Sequence, residues 1–249
     1  MIGLGLGSQP TTECGIFGSY QSLNLDGNSD YVDVPLLDIL PDPNNSLSVS
    51  CWINIVQNDG DTSQQIIKVF SDTDNQFQFF YHKHEQQFRT TLKTQGGTNR
   101  VATFDPGGVG YTGWQHFAAT YTISSGTCDL NFYRNGSLVE RIRVESGQGD
   151  WEEDVTVMRI GANQDGTGAF TDGQVDQVGF WNTVLPATTI AAIYNGGVMR
   201  DLTTQHTNYT QTANLIGYYQ FEGNFQDSSN LQAHGTAVGT AGFSTNQPS

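Results

Sequence analysis

Two short runs in this sequence are dense in side-chain oxygens, Asp74-Asn75 and Asn163-Gln164-Asp165. Calcium takes roughly six to eight oxygen ligands, and carboxylates, amides and backbone carbonyls from two such loops are the donors it prefers. The same residue types are favoured in ordinary turns, where their side chains bond the local backbone, so both readings stand at this level. Directly after the first run, Gln76 to His82 alternates in character. As a strand it places Phe77, Phe79 and Tyr81 on one face and Gln78, Phe80 and His82, with His84 beyond, on the other. The first set is core. In the second, Phe80 stands alone among polar groups, either a stacking platform for a sugar ring or a lone exposed aromatic. His82-x-His84 offers two imidazoles to zinc but fixes no third ligand, so solvent-exposed histidines are expected. Asp26, Asn28 and Asp30 with Asp176 form a further oxygen set that could clamp a sheet edge.

Chemistry that is missing narrows the function. A retaining glycosidase needs two carboxylates about 5 to 5.5 Å apart across the scissile bond. Glu152-Glu153-Asp154 is a contiguous acidic turn, and Glu140 and Glu145 fall on opposite faces of a regular strand. No GxSxG elbow or phosphate loop occurs. The chain therefore reads as non-catalytic, with a glycoside hydrolase as the lesser alternative. Ten Lys+Arg against 25 Asp+Glu give a net charge of −15, which repels phosphate backbones and anionic lipid, so nucleic acid and membrane surfaces are poor partners. Apolar runs stay far below the roughly 20 residues that span a bilayer, and Met1 to Gly7 lacks a basic n-region. Cys14, Cys51 and Cys128 are odd in number and widely spaced. Cys51 and Cys128 sit in register with apolar neighbours, as buried free thiols do.

The elements that must hold these residues are strands. Segments of four to eight apolar or alternating residues recur between Gly/Asn/Asp clusters, the pattern of an all-β sandwich or barrel. They cover 46–56, 65–70, 76–82, 88–93, 100–104, 115–121, 130–134, 138–144, 155–160, 174–181 and 215–221. Asn135-Gly136 supplies the positive-φ pair of a tight hairpin. The spacing predicts one short helix, Pro186 through Tyr194, stopped by Asn195-Gly196-Gly197. Residues 1–16 read as an extended N-terminal arm, 17–238 as one domain and 239–249 as a flexible C-terminal tail.

Four stretches carry a family resemblance: Ser22 to Val32, Leu47 to Ile53, Gly113 to Gly136, and Arg159-Ile160-Gly161-Ala162 running on through Asp176 and Trp181 to Gly197. In order and spacing they resemble the concanavalin A-like superfamily, and within it the laminin-G-like and pentraxin-like jelly rolls. The resemblance implies a two-sheet antiparallel jelly-roll sandwich with one short helix. It puts Asp74, Asn75, Asn163, Gln164 and Asp165 where pentraxin-like members bind calcium, and Phe80, with Gln78 and His82, where they line a ligand pocket. Asn163 stands where the family has Glu, and the loop before Gly173 is short, so one weak calcium site is expected rather than two. Leu215 to Gly223 resembles a segment that opens many laminin-G-like domains. Here it comes late, and it is expected to add a closing strand beside the first. The helix lacks the family's capping box. His116 falls where members carry a buried structural histidine.

The function so implied is a lectin-like jelly roll that recognises a glycan or host-surface ligand. The Gly-Leu-Gly-Leu-Gly start resembles the N-terminal arms of small bacteriophage tail or capsid-surface proteins. That likeness implies a virion location, or an extracellular one by a non-Sec route, with other virion proteins met through the arm and a homo-oligomeric state. The alternative is a purely structural assembly protein that binds no sugar.

Overall fold

The computed structural model describes residues 20–35, 46–57, 62–107, 112–151 and 154–248. The arm read over 1–16 and Cys14 lie outside these residues. Strands, numbered in chain order, form two antiparallel sheets. The first runs β10 (Ser137–Val144), β9 (Thr127–Arg134), β8 (Gln115–Ser124), β3 (Ser46–Ile55), β12 (Asp172–Trp181), β1 (Ser22–Asp26) and β15 (Gly242–Ser244), with β13 (Leu215–Tyr219) also paired to β12. The second runs β14 (Thr236–Val238), β2 (Tyr31–Val34), β11 (Val157–Ile160), β4 (Gln64–Phe70), β5 (Gln76–His82), β6 (Gln87–Lys93) and β7 (Arg100–Phe104). This is the expected all-β jelly-roll sandwich.

Alternation decides which side chains meet between the sheets. Phe77, Phe79 and Tyr81 of β5 turn inward as expected, joining Val49, Cys51, Phe117, Phe132 and Val175 from the first sheet. Phe117 is the hub, with ring centroids 4.7 Å from Phe88, 5.3 Å from Phe79 and 5.6 Å from Phe132. Full burial of each such ring contributes about 1.5 to 3 kcal/mol, so this aromatic cluster is a large part of what joins the two sheets. Asn135 (φ 47°) and Gly136 (φ 74°) make the expected turn between β9 and β10, where the left-handed conformation at both central residues matches the twist of the strands.

A smaller apolar layer covers the outer face of the first sheet. Helix α1 (Ala187–Tyr194) lays Ile190 and Ile193 on Tyr133, Trp181 and Tyr218. Pro186 precedes it in extended conformation and no side chain caps its start, as the missing capping box implies.

Two boundary expectations are corrected. Residues 239–249 are not a loose tail: β15 pairs with Ser22–Asn24 of β1, and the Phe243 ring packs 4.8 Å from Phe225. Leu215–Tyr219 does not lie beside the first strand. It pairs with Val178–Trp181 of β12, while β1 pairs with Asp172–Val175 of the same strand, so β13 continues the line of β1 and β15 takes the place beside it.

Candidate functional site

The outward residues of the second sheet form rows across its strands. Lys68, Gln78, Thr91 and Val101 are successive partners in one row, and Gln65, Phe80, Arg89 and Thr103 in the next. Gln78, Thr91 and Val101 of the one row and Gln65, Phe80 and Arg89 of the other floor an open groove of about 450 Å³, walled by Ser63, Asn99, Asn163, Gln164 and Ala169. Phe80, Gln78 and His82 therefore share one site, as expected from alternation. Phe80 is half-buried, with its ring 6.3 Å from that of His82. Among the described residues, no Asp or Glu lines the groove.

Several polar groups on the floor are held by neighbours, while Thr91 Oγ1 and Arg89 Nε are buried without a bond within the chain. Gln65 sits at a bulge where β4 slips against β5, and its amide Nε2 donates to the carbonyls of Ile67 (2.6 Å) and Phe79 (3.1 Å). Gln78 Nε2 donates to Gln76 Oε1 at 3.1 Å. Arg89 donates to Gln87 Oε1 at 2.9 Å and forms an ion pair with Glu85. Burial holds His82 below the usual histidine range, and the neighbouring Arg89 and His84 charges push the same way. Its ring accepts a bond from the Glu85 amide at 3.3 Å through Nδ1, which orients the ring beside Phe80. Sequence reading missed Arg89, Thr91, Gln65 and Asn99. The alternation of β6 carries a signal for Arg89 and Thr91, but their alignment with Phe80 and Gln78 depends on strand register.

The five residues expected to hold calcium separate into two settings. Asp74 is ion-paired with Lys93 at 2.7 Å. Asn75 is buried, with Oδ1 accepting from the Gln95 amide at 3.2 Å and Nδ2 donating to Asp72 Oδ1 at 3.2 Å. That Asp72 oxygen also accepts the amides of Asp74 and Asn75, both at 2.7 Å, which is the turn chemistry weighed as the alternative. In the other loop, Asn163 Oδ1 accepts from the Thr167 amide at 3.2 Å, and Arg159 Nη1 donates to the carbonyls of Asn163 (3.2 Å) and Gln164 (2.6 Å).

A cation already stands near both loops. Lys68, 2% exposed, donates from Nζ to Gln76 Oε1 at 2.6 Å and lies over the Phe70 ring. Burial lowers its pKa to about 8, against an opposing pull from Asp165. The residues as placed do not fit a calcium ion: Asn75 and Asn163 spend their Oδ1 atoms on backbone amides, Asp74 is paired with Lys93, and the Lys68 ammonium adds positive charge on the side of Asp165. Among the described residues, no three His, Cys, Asp or Glu side chains gather at a metal-binding distance.

The remaining candidates are structural. Asp26 caps its own turn, accepting the amides of Asn28, Ser29 and Asp30 at 2.9, 2.8 and 3.0 Å. Asp30 instead accepts from the Thr240 amide at 2.5 Å, and Asp176 lies buried in β12, so the proposed edge clamp does not assemble. Cys51 and Cys128 are buried free thiols, and burial pushes the Cys128 thiol up to about 11.

The model of the concanavalin A-like lectin/glucanases superfamily matches residues 26–191, from the end of β1 into α1. No curated protein matches the sequence. Among solved structures, a candidate carbohydrate binding protein from Bacteroides ovatus is similar with a TM-score of 0.58 at 15% identity, over 92% of this chain and 61% of its own. The chain thus spans about three fifths of that protein. The native heptameric SAP-like pentraxin of Limulus polyphemus is similar with a TM-score of 0.55 at 16% identity, over 86% of this chain and 98% of its own. At such identities the likeness is one of fold.

Proposed function

The chain belongs to the concanavalin A-like lectin/glucanases superfamily, and from that premise we propose that it is a non-catalytic, lectin-like domain that recognises a carbohydrate in the groove over β5 and β6. The observation that carries this reading is Phe80. An aromatic ring is held half-buried at the floor of a groove whose other lining groups, Val101 and Ala169 apart, are amides, hydroxyls, an imidazole and a guanidinium. A sugar presents an apolar face to such a ring and hydroxyls to its rim, and the groove lies within the roughly 300 to 1,000 Å³ usual for small-ligand sites. Phe80 supplies contact area, while Gln78, Asn163, Gln164 and Arg89 supply direction.

Among the described residues the lining carries no carboxylate pair of the kind a glycosidase works through, which favours recognition over hydrolysis. The name of the Bacteroides ovatus neighbour points the same way. In this reading the fixed cation beside the groove is Lys68, and binding proceeds without calcium.

A glycan array probed with and without chelator tests the proposal, followed by titration of the selected glycan into Phe80→Ala. Saturable binding insensitive to chelator is expected. The variant should bind about 5- to 150-fold more weakly, the roughly 1 to 3 kcal/mol of an aromatic hot spot, while remaining folded. A folded variant that binds at full strength removes the groove from the account, and binding abolished by chelator removes the role given to Lys68.

A further inference from the structure

On the opposite side of the molecule, four polar residues surround a small enclosed cavity between the outer face of the first sheet and the layer built by α1. Ser50 of β3, His116 of β8, Gln177 of β12 and Arg200 line it, with Trp52, Ile193 and Leu202 completing the wall. Their atoms facing the interior lack protein partners: Ser50 Oγ, Gln177 Nε2, Arg200 Nε and both ring nitrogens of His116. Three of these residues are almost wholly buried, Ser50 and His116 at 1% exposure and Gln177 at 3%. Buried polar groups left unbonded are rare in folded chains, so several around one space call for a shared guest.

The backbone points to the same place. β12 slips against β3 between Asp176 and Gly179, and Gln177 at the slip has φ of 49°, a conformation uncommon outside glycine. The extra residue restores the inward phase for Val178 while leaving Gln177 on the outer face. The rest of Gln177 is bonded, its Oε1 accepting from the Tyr218 hydroxyl. Arg200 is anchored likewise, its Nη2 donating to Asn195 Oδ1 at 2.5 Å.

We propose that the cavity is a binding site for one ordered water molecule. The room left for the centre of a water-sized sphere is about 10 Å³, close to the minimum that holds a single water. Gln177 Nε2 and Arg200 Nε are donors to its oxygen, and Ser50 and the acceptor nitrogen of a neutral His116 ring take its protons. Buried waters make about three such bonds. A neutral guest suits the charges, because buried Asp176 adjoins Gln177 in the slip while Arg200 is a cation. The water would bridge three sheet residues to the segment that follows α1 and so tie the helical layer down.

A crystal structure resolving ordered solvent is expected to show one peak within hydrogen-bond distance of Ser50 Oγ, Gln177 Nε2 and Arg200 Nε. Oxygen-17 relaxation dispersion should count one fewer long-lived water in Ser50→Val, whose added methyl groups fill the space. An unchanged count in a folded Ser50→Val would overturn the proposal. So would a native cavity empty of density with its side chains bonded to one another, or an anomalous peak there after a bromide soak, which marks an anion site. If Ser50→Val does not fold, the native density and the bromide soak decide alone.

Discussion

His116 packs against Trp52 and Tyr194 in a three-ring cluster, with ring centroids 5.3 and 5.9 Å away, and burial pushes its pKa down to about 3. An unfolded imidazole takes up a proton below about 6.5, whereas the folded one does so only near 3. Between those values the unfolded state binds more protons, so stability falls as pH falls. At pH 5 the loss relative to pH 8 is about 2 kcal/mol by that linkage. Arg200, across the same cavity, is a cation and gives an added proton no relief. Urea unfolding of wild type and His116→Gln at both pH values checks this: the variant is expected to lack the 2 kcal/mol component, and equal pH slopes would contradict it. Phe80 is the counterpart on the other sheet. Because its ring is only half-buried, Phe80→Ala is expected to cost less than the roughly 3 to 5 kcal/mol of a core Phe, so binding and folding separate in one variant.

Elements with a two-residue period were legible in the sequence, and those ordered by distant partners were not. β5 reads directly from Phe77, Phe79 and Tyr81, and its match to the structure runs from Gln76 to His82. β14 and β15 are three residues each, too short to show a period. They exist because β2 and β1, some two hundred residues earlier, offer them edges. The candidate site divides along the same line. Phe80, Gln78 and His82 follow from alternation within one strand, whereas their neighbours Arg89 and Lys68 depend on the β5–β6 register and on the bulge at Gln65. Asp and Asn in the two loops could not be told from turn residues by type, and in the structure the Asn75 and Asn163 side chains bond local backbone while Asp74 pairs with Lys93. Deleting residues 239–249 removes β15, the cover on Phe225 and the Thr240 bonds to Asp30. That loss is expected at about 2 kcal/mol, hence a melting temperature about 4 to 8 °C lower for a chain of this size. Unchanged melting would make the segment the loose tail that its composition suggests.

At the scale of the whole molecule, two faces of one sandwich have different duties. The first sheet buries its outer face under α1 and the segments around Leu202 and Tyr209, whereas the second leaves the groove open on its outer face. The family match ends at residue 191, and the chain beyond it closes the edges through β13, β14 and β15. The chain carries a net charge of −15, and among the described residues the groove is lined by Arg89 and no acid, so its local charge runs against that of the chain as a whole. The most direct test of this division is to titrate nitrogen-15-labelled protein with an array-selected glycan and map the amide shifts. The account predicts saturable shifts at Gln78, Phe80, His82, Arg89, Thr91 and Asn163, with the residues beneath α1 unmoved. Saturable shifts confined to other surfaces, with the groove amides unchanged, would contradict it.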